Sequence, residues 1–240
     1  MKITRKHTLL PVYCVVLTCF LLIGLWSSKI ITTLSESAPL EGRKVVIVDA
    51  GHGGVDGGAV SCVGLSESNY NLAIAIRLND LLHLLGIETV MIRSTDCSVY
   101  TSGETITAKK VSDLRERVRI VNSTQRGFLV SIHQNYYSDS RYSGGQVFYP
   151  KNGDGVTVAK MLQEKMRDTI NPGSNRQAKQ AKGVYLMEHI QRPGILIECG
   201  FLSNPVEEAK LRSPLYQKKL CAVIASVCSQ YLHSDNQQLA

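Results

Sequence analysis

The clearest indication of the fold is the stretch Lys44-Val45-Val46-Ile47-Val48-Asp49-Ala50-Gly51-His52-Gly53-Gly54. Its apolar first half predicts a buried strand, and that strand ends in a glycine-rich turn carrying one histidine. In α/β proteins, ligands and catalytic groups lie at strand ends and in the loops that follow them. Because its neighbours have almost no side chains, we expect His52 to reach a metal ion or a substrate.

One folded domain follows a different kind of N-terminal region. The chain has 240 residues, of which 44% are hydrophobic and 20% charged, as is ordinary for a globular protein. Roughly the first forty do not resemble a folded domain, which leaves about 200 residues, enough for one well-buried α/β domain. We assign residues 1–28 to a signal-anchor or signal peptide, 29–42 to a linker, 43–233 to the folded domain and 234–240 to a tail.

The N-terminal segment predicts an extracytoplasmic protein. Residues 1–7 are basic, and an uncharged apolar run from Leu9 to Trp26 has the length of a membrane helix. A cleaved secretory signal is the alternative, but Ser27-Ser28 is a weak cleavage site, so we favour an uncleaved anchor. The basic start should stay in the cytoplasm, which places the domain outside, either membrane-anchored or secreted.

Charge and cysteine usage exclude several classes of protein. The net charge is +7, from 27 basic and 20 acidic residues, and the excess is spread without basic-aromatic clusters. This permits an anionic polymer or a membrane surface as neighbour and does not indicate nucleic acid. No cysteine pair has C-x-x-C spacing, so neither a zinc knuckle nor a redox motif is supported. We interpret the domain's cysteines as small buried hydrophobic residues: Cys62, Cys97, Cys199, Cys221 and Cys228.

Strand-like and helix-like patterns alternate along the domain. We predict strands at 44–48, 88–92, 128–132, 146–149, 184–187 and 194–197. Helices are predicted from Ser66 to Gly86, over 112–122 and 156–170, from Asn204 and over 214–232, with a long polar loop at 93–112. On the helix over 112–122, Arg115, Arg117 and Arg119 are predicted to face outward. This alternation indicates a single α/β domain with a mainly parallel sheet.

Three of these strands end in polar residues typical of metal hydrolases. They end at or near His52, His133 and Glu198. If the strands are parallel neighbours, their C-terminal ends lie at one edge of the sheet. Glu67, at the start of the helix that leaves the glycine loop, belongs to the same edge.

These four residues could supply every part of an amide hydrolase. Two neutral imidazoles and one carboxylate, here His52, His133 and Glu67, are a common catalytic zinc set that leaves the fourth position for water. Zinc lowers the pKa of that water to around 7. A carboxylate outside the metal set, here Glu198, can take the proton of the water and pass it to a leaving amine.

Each of these residues also has a simpler interpretation. His52 could be a surface residue, and its loop a phosphate cradle, although its glycines do not follow the G-x-G-x-x-G spacing. Glu67 could merely complement the helix dipole. His133 could be a hydrogen-bonded edge residue. Glu198 ends an apolar run, where a carboxylate is costly unless it is paired or functional.

Four ordered motifs carry a resemblance to the zinc-dependent N-acetylmuramoyl-L-alanine amidases of the Amidase_3 type. They are Val48-Asp49-Ala50-Gly51-His52-Gly53-Gly54 with Asp56 and Gly58-Ala59, Glu67 with Asn71-Leu72, Ser131-Ile132-His133-Gln134-Asn135, and Glu198-Cys199-Gly200-Phe201-Leu202-Ser203-Asn204. The resemblance implies a mixed, mostly parallel sheet flanked by helices on both faces, and makes residues 43–233 a zinc amidase catalytic domain. It assigns one Zn²⁺ per chain to His52, Glu67 and His133, and the catalytic carboxylate to Glu198.

A closer resemblance is to the CwlD-type spore cortex amidases, carried by the minimal domain behind a hydrophobic segment and by residues 183–189. It implies a peptidoglycan substrate, a first step towards muramic-δ-lactam, a downstream deacetylase, an accessory lipoprotein and a place between the spore membranes. Two alternatives stay open, a catalytically silent wall-binding or activator protein and a zinc exopeptidase. The intact polar positions disfavour the first, and the lack of an evident second set of carboxylates disfavours the second.

Overall fold

The structure is a computed structural model that describes residues 44–152 and 155–236. Within these residues, six strands form one sheet: β1 Val45–Ala50, β2 Thr89–Met91, β3 Gly127–Asn135, β4 Gln146–Tyr149, β5 Lys179–Gln180 and β6 Gly194–Phe201. The helices of the same residues are α1 Glu67–Leu84, α2 Ile106–Ser123, α3 Val156–Thr169, α4 Tyr185–His189, α5 Pro205–Arg212 and α6 Pro214–Asn236.

The sheet is mixed and mostly parallel, as predicted. Its strand order is β2-β1-β3-β6-β4-β5, and only the β4–β6 pair is antiparallel among the described strands. Residues of β1 alternate between the two faces because side-chain direction alternates along a strand. Val46 and Val48 pack with α1, α3 and α6, whereas Ile47 packs with α2 and α4, so helices cover both faces.

The three strands that carry the predicted site are neighbours in the middle of this sheet. β1 pairs in parallel with β3, and β3 pairs in parallel with β6. The register places His133 opposite Glu198. The C-terminal ends of these strands therefore meet at one edge, as the sequence predicted. Both β3 and β6 continue past these residues, so His133 and Glu198 lie within strands rather than after them.

Two predicted elements differ from the structure. Helix α2 begins at Ile106 rather than at Ser112, because Thr105 caps it, accepting a hydrogen bond from the backbone N–H of Ala108 at 3.1 Å. The strand predicted at 184–187 is wrong, since this segment belongs largely to helix α4. The two-residue strand β5 has no sequence signal that we recognised.

Side-chain burial corrects two further predictions. Arg117 is only 3% exposed, although the helical pattern predicted that it faces outward. Cys62 and Cys97 are exposed, so the interpretation of all five domain cysteines as buried is wrong for these two and confirmed for Cys199, Cys221 and Cys228.

No helix within residues 44–152 and 155–236 is long and apolar enough to cross a membrane. The predicted anchor at 1–28, the linker at 29–42 and part of the tail at 234–240 lie outside the described residues, and the domain boundaries stay a prediction.

Candidate metal centre

His52, Glu67 and His133 come together at the C-terminal edge of the sheet. His52 Nε2 lies 3.2 Å from Glu67 Oε2, and His133 Nδ1 lies 3.0 Å from Glu67 Oε1. One ligand atom from each residue can be chosen such that all three lie within 4.8 Å of one another. Three residues distant in sequence thus form a donor set of two imidazole nitrogens and one carboxylate oxygen, which is the chemistry that Zn²⁺ prefers.

The carboxylate of Glu67 is buried and held in its ionised form. It accepts hydrogen bonds from the backbone N–H groups of Ala59 and Gln134 and from Asn71 Nδ2, each at 3.1 Å. Burial alone would raise the pKa of Glu67, but its hydrogen bonds with His133 and His52 hold it well below its usual value. A fixed negative charge therefore lies between the two imidazoles.

The ring of His52 is oriented from behind by Asp56. His52 Nδ1 lies 2.8 Å from Asp56 Oδ2, which leaves Nε2 facing Glu67. Lys110 Nζ lies 2.7 Å from the other oxygen of Asp56. Burial lowers the pKa of His52, but its hydrogen bonds with Asp56 and Glu67 raise it to about 9. A carboxylate behind a ligating histidine fixes its tautomer and increases its basicity in metal sites generally.

Two buried arginines hold the backbone of the loop that carries His52. His52 has a left-handed φ of 61°, an uncommon conformation for a residue with a side chain. Arg117 donates to the carbonyl oxygens of His52 at 2.7 Å and Ala50 at 3.0 Å, and it pairs with Asp49. Arg93 donates to the carbonyl oxygens of Ala50 at 2.8 Å and Gly51 at 2.9 Å. These guanidinium groups stabilise the turn that presents the imidazole.

Gly51 is required because the ring of His133 occupies the place of a side chain. A Cβ atom built on Gly51 would lie 2.2 Å from both Cε1 and Nε2 of His133. The glycine therefore allows β1 and the ring of a candidate ligand to approach closely.

Glu198 lies beside this cluster without being part of it. It is opposite His133 in the β3–β6 register, and its Oε2 is buried with no hydrogen-bond partner in the described residues. Burial raises the pKa of Glu198 to about 7. A carboxyl group with such a pKa can both accept and return a proton near neutral pH.

The sequence motifs included Asp56 without giving it a role, and the supporting roles of Arg93 and Arg117 were not predicted. One feature of the sequence did indicate a buried positively charged partner. Asp49 lies inside an apolar strand, where an ionised carboxylate needs a partner of opposite charge. That partner is Arg117, and Ser131 Oγ donates to the other oxygen of Asp49 at 2.6 Å.

Comparisons with known proteins agree with this geometry. The Amidase_3 family, described as N-acetylmuramoyl-L-alanine amidase, matches residues 46–229. The chain is 39% identical to the germination-specific N-acetylmuramoyl-L-alanine amidase of Bacillus subtilis (strain 168), over 78% of this chain and 79% of that protein.

Solved structures of amidases share the fold. The CwlD amidase from Clostridioides difficile, solved in complex with the GerS lipoprotein, matches with a TM-score of 0.76 and 35% identity over 80% of this chain and 100% of that one. The N-acetylmuramoyl-L-alanine amidase AmiC2 of Nostoc punctiforme matches with a TM-score of 0.67 and 27% identity over 80% of this chain and 98% of that one.

Proposed function

The chain belongs to the Amidase_3 family of N-acetylmuramoyl-L-alanine amidases, and from this premise we propose that it cleaves its peptidoglycan amide as a zinc enzyme. In this proposal His52, Glu67 and His133 bind one Zn²⁺ per chain, and Glu198 is the general base and acid. The bond cleaved joins the lactyl group of N-acetylmuramic acid to L-alanine of the stem peptide. We also propose that the protein acts outside the cytoplasm, which the similarity to a germination-specific amidase supports.

One observation supports this proposal most strongly. Three ligand atoms lie within 4.8 Å of one another, and the neighbouring Glu198 has a buried carboxylate oxygen that has no hydrogen-bond partner among the described residues. Zn²⁺ bound there would polarise the amide carbonyl and make a water molecule more acidic. Among the described residues no second group of this kind is found, which disfavours a two-metal exopeptidase.

The protein's own residues would then position the reactants and move one proton. Asp56 would orient His52 by binding its Nδ1, which leaves Nε2 available as the metal ligand, and Arg117 would keep the loop of His52 in place. Glu198 would accept a proton from the attacking water. It would return that proton to the departing amine of L-alanine, so that the amine leaves in neutral form.

Release of labelled peptide from purified peptidoglycan tests this proposal. The protein is stripped with a chelator, assayed, and assayed again after zinc is restored. We expect activity only with metal, and a loss of roughly 10²- to 10⁴-fold in kcat for Glu198→Gln, the range typical of general acid–base groups. That variant should still bind one zinc ion. Glu164→Gln, on the exposed side of α3, is the matched control. Full activity of Glu198→Gln would contradict the proposal.

We further propose a role in the spore cortex. A Bacillus subtilis relative is germination-specific, and a structural relative was solved with a lipoprotein. By analogy, this amidase would remove stem peptides before a deacetylase acts, on the way to muramic-δ-lactam. It would act between the spore membranes, tethered by its N-terminal segment and assisted by a lipoprotein. Muropeptide analysis of spores lacking the protein should show no muramic-δ-lactam, whereas a normal lactam content would contradict this role.

A further inference from the structure

A large cleft lies on the β4 side of β6, whereas His133 lies on the β3 side of that strand. Its volume is about 1100 Å³, and it is lined by the segment before β4, the turn after α3 and the start of α5. Gln146 lines this cleft and is opposite Glu198 in the β4–β6 register. In the sheet, β6 lies between β3 and β4. The cleft and His133 are therefore on opposite sides of the strand that carries Glu198.

The acidic side chains of the cleft are already engaged. Asp139 accepts from Arg141 at 2.7 Å, which leaves this pair electrically neutral. Glu207 is only 7% exposed, and its two oxygens accept from the backbone N–H groups of Gly144 and Phe201, each at 2.9 Å. Because these donors are neutral, Glu207 keeps its negative charge, which offsets one of the other cations of the cleft.

Three cations of the cleft remain, namely Arg176, Lys179 and Lys210. None of them has an acidic partner in the part of the chain that the structure describes. Even with the negative charge of Glu207 included, the cleft carries a net positive charge, which favours an anionic group of the substrate.

Arg176 is held in place by contacts that do not involve the two terminal nitrogens of its guanidinium group. Its Nε donates to the carbonyl oxygen of Ser143 at 3.1 Å, and its guanidinium lies 5.1 Å from the centre of the Phe201 ring. Its two terminal nitrogens make no hydrogen bond with the described residues. A guanidinium held by its Nε and by an aromatic ring presents two parallel N–H donors, the geometry that binds a carboxylate in a bidentate manner.

We propose that this cleft binds the peptide part of the substrate, and that Arg176 is a specificity-determining residue that binds a free carboxylate of the stem peptide. This inference rests on the proposed function. A carboxylate about two extended residues beyond the scissile amide lies roughly 7 Å away. That distance exceeds one strand spacing of about 4.8 Å, so such a group would pass β6 and enter the cleft.

The test compares two soluble substrates. One is N-acetylmuramoyl-L-alanyl-D-glutamate, and the other is its diamide, which has the same shape but no carboxylate. Both are hydrolysed with the zinc-loaded protein and with Arg176→Ala, Arg176→Lys and Arg141→Ala. The last is the matched control, because it removes a cation of the same cleft whose charge is already paired with Asp139. Binding of both compounds to the Glu198→Gln protein is measured in parallel by calorimetry.

We expect the wild-type protein to prefer the carboxylate substrate by roughly ten- to hundredfold in kcat/KM, the effect of one or two charge-assisted hydrogen bonds. Arg176→Ala should abolish this preference, with a higher KM for the carboxylate substrate as the main change. Arg176→Lys should keep part of it, and Arg141→Ala should keep it within about twofold.

Equal kcat/KM for both substrates in the wild-type protein, or an equal loss for both in Arg176→Ala, would overturn this inference. Selective binding of the carboxylate compound without turnover of either substrate would instead contradict the amidase mechanism and support the subsite. The two ideas can therefore fail separately.

Discussion

Replacing Arg117 by methionine should destabilise the whole domain, although this residue lies on a helix whose pattern predicted an exposed side chain. Arg117 is 3% exposed and Asp49 is 1% exposed, and they form an ion pair. In Arg117→Met the carboxylate of Asp49 keeps only the hydroxyl of Ser131 as a hydrogen-bond partner among the described side chains. The carbonyl oxygen of His52 loses its donor as well.

Removing one partner of a buried ion pair typically costs about 3–5 kcal/mol of the free energy of unfolding, because a charge is left buried and uncompensated. This is a large part of the total of roughly 5–15 kcal/mol for a domain. Arg119→Met is the matched control, since Arg119 lies on the same helix, is 66% exposed and pairs with Glu116. Its loss should cost no more than about 1 kcal/mol.

Urea unfolding at pH 7 measures both values. Adding Asp49→Asn to Arg117→Met should recover part of the loss, because the buried charge of Asp49 is then removed and only Asp113 is left without its pairing to Arg117. Burial by itself would raise the pKa of Asp49, but Arg117, His133 and Ser131 hold it below its usual value. The ionised carboxylate therefore stabilises the fold above about pH 4 and loses this effect as the pH falls. The cost of Arg117→Met should accordingly shrink in acid. A cost at pH 7 equal to that of Arg119→Met would refute this reasoning.

Three further predictions concern the metal centre. Asp56→Asn should weaken zinc binding by roughly 10- to 100-fold, since His52 loses the carboxylate behind it; competition with a chromophoric chelator measures this, and unchanged affinity would contradict it. Gly51→Ala should displace the ring of His133, because the Cβ of the new alanine would lie 2.2 Å from that ring. Metal analysis should then find far less than one zinc ion per chain. A full zinc ion per chain would contradict this prediction. Zinc at a hundredfold excess over its Kd should increase the free energy of unfolding by about 2.7 kcal/mol. The measurement is a higher Tm that a chelator reverses. An identical Tm with zinc and with chelator would contradict a zinc site that exists only in the folded protein.

The meeting of three strand ends at the candidate site could be predicted from the sequence because its determinants are local. Each of the strands around Val48, Ile132 and Ile197 is an apolar run that stops close to a polar residue. Once three such strands are parallel neighbours, their ends must meet. Predicting the positions of His133 and Glu198 therefore required only the strand pattern and no knowledge of the loops between the strands.

The supports of the site could not be predicted in the same way. Helical spacing indicates which face of α2 is apolar, but it cannot show that Asp49, far away in sequence, draws Arg117 inward. Residues 184–187 form a short apolar run, for which periodicity alone does not separate a strand from a buried helix. Arg93 acts through its hydrogen bonds to the loop carbonyls, which depend on the path of the β1 loop and left no pattern in the sequence.

Mass spectrometry of the products formed from purified peptidoglycan shows which bond the protein cleaves and whether cleavage needs zinc and Glu198. The protein is incubated with zinc, with a chelator, and as Glu198→Gln with zinc. We predict, with wild-type protein and zinc only, stem peptides with a free L-alanine amino group and muramic acid with a free lactyl carboxyl group. Free amino acids from a peptide terminus, or the same products from the chelated protein or from Glu198→Gln, would contradict the account.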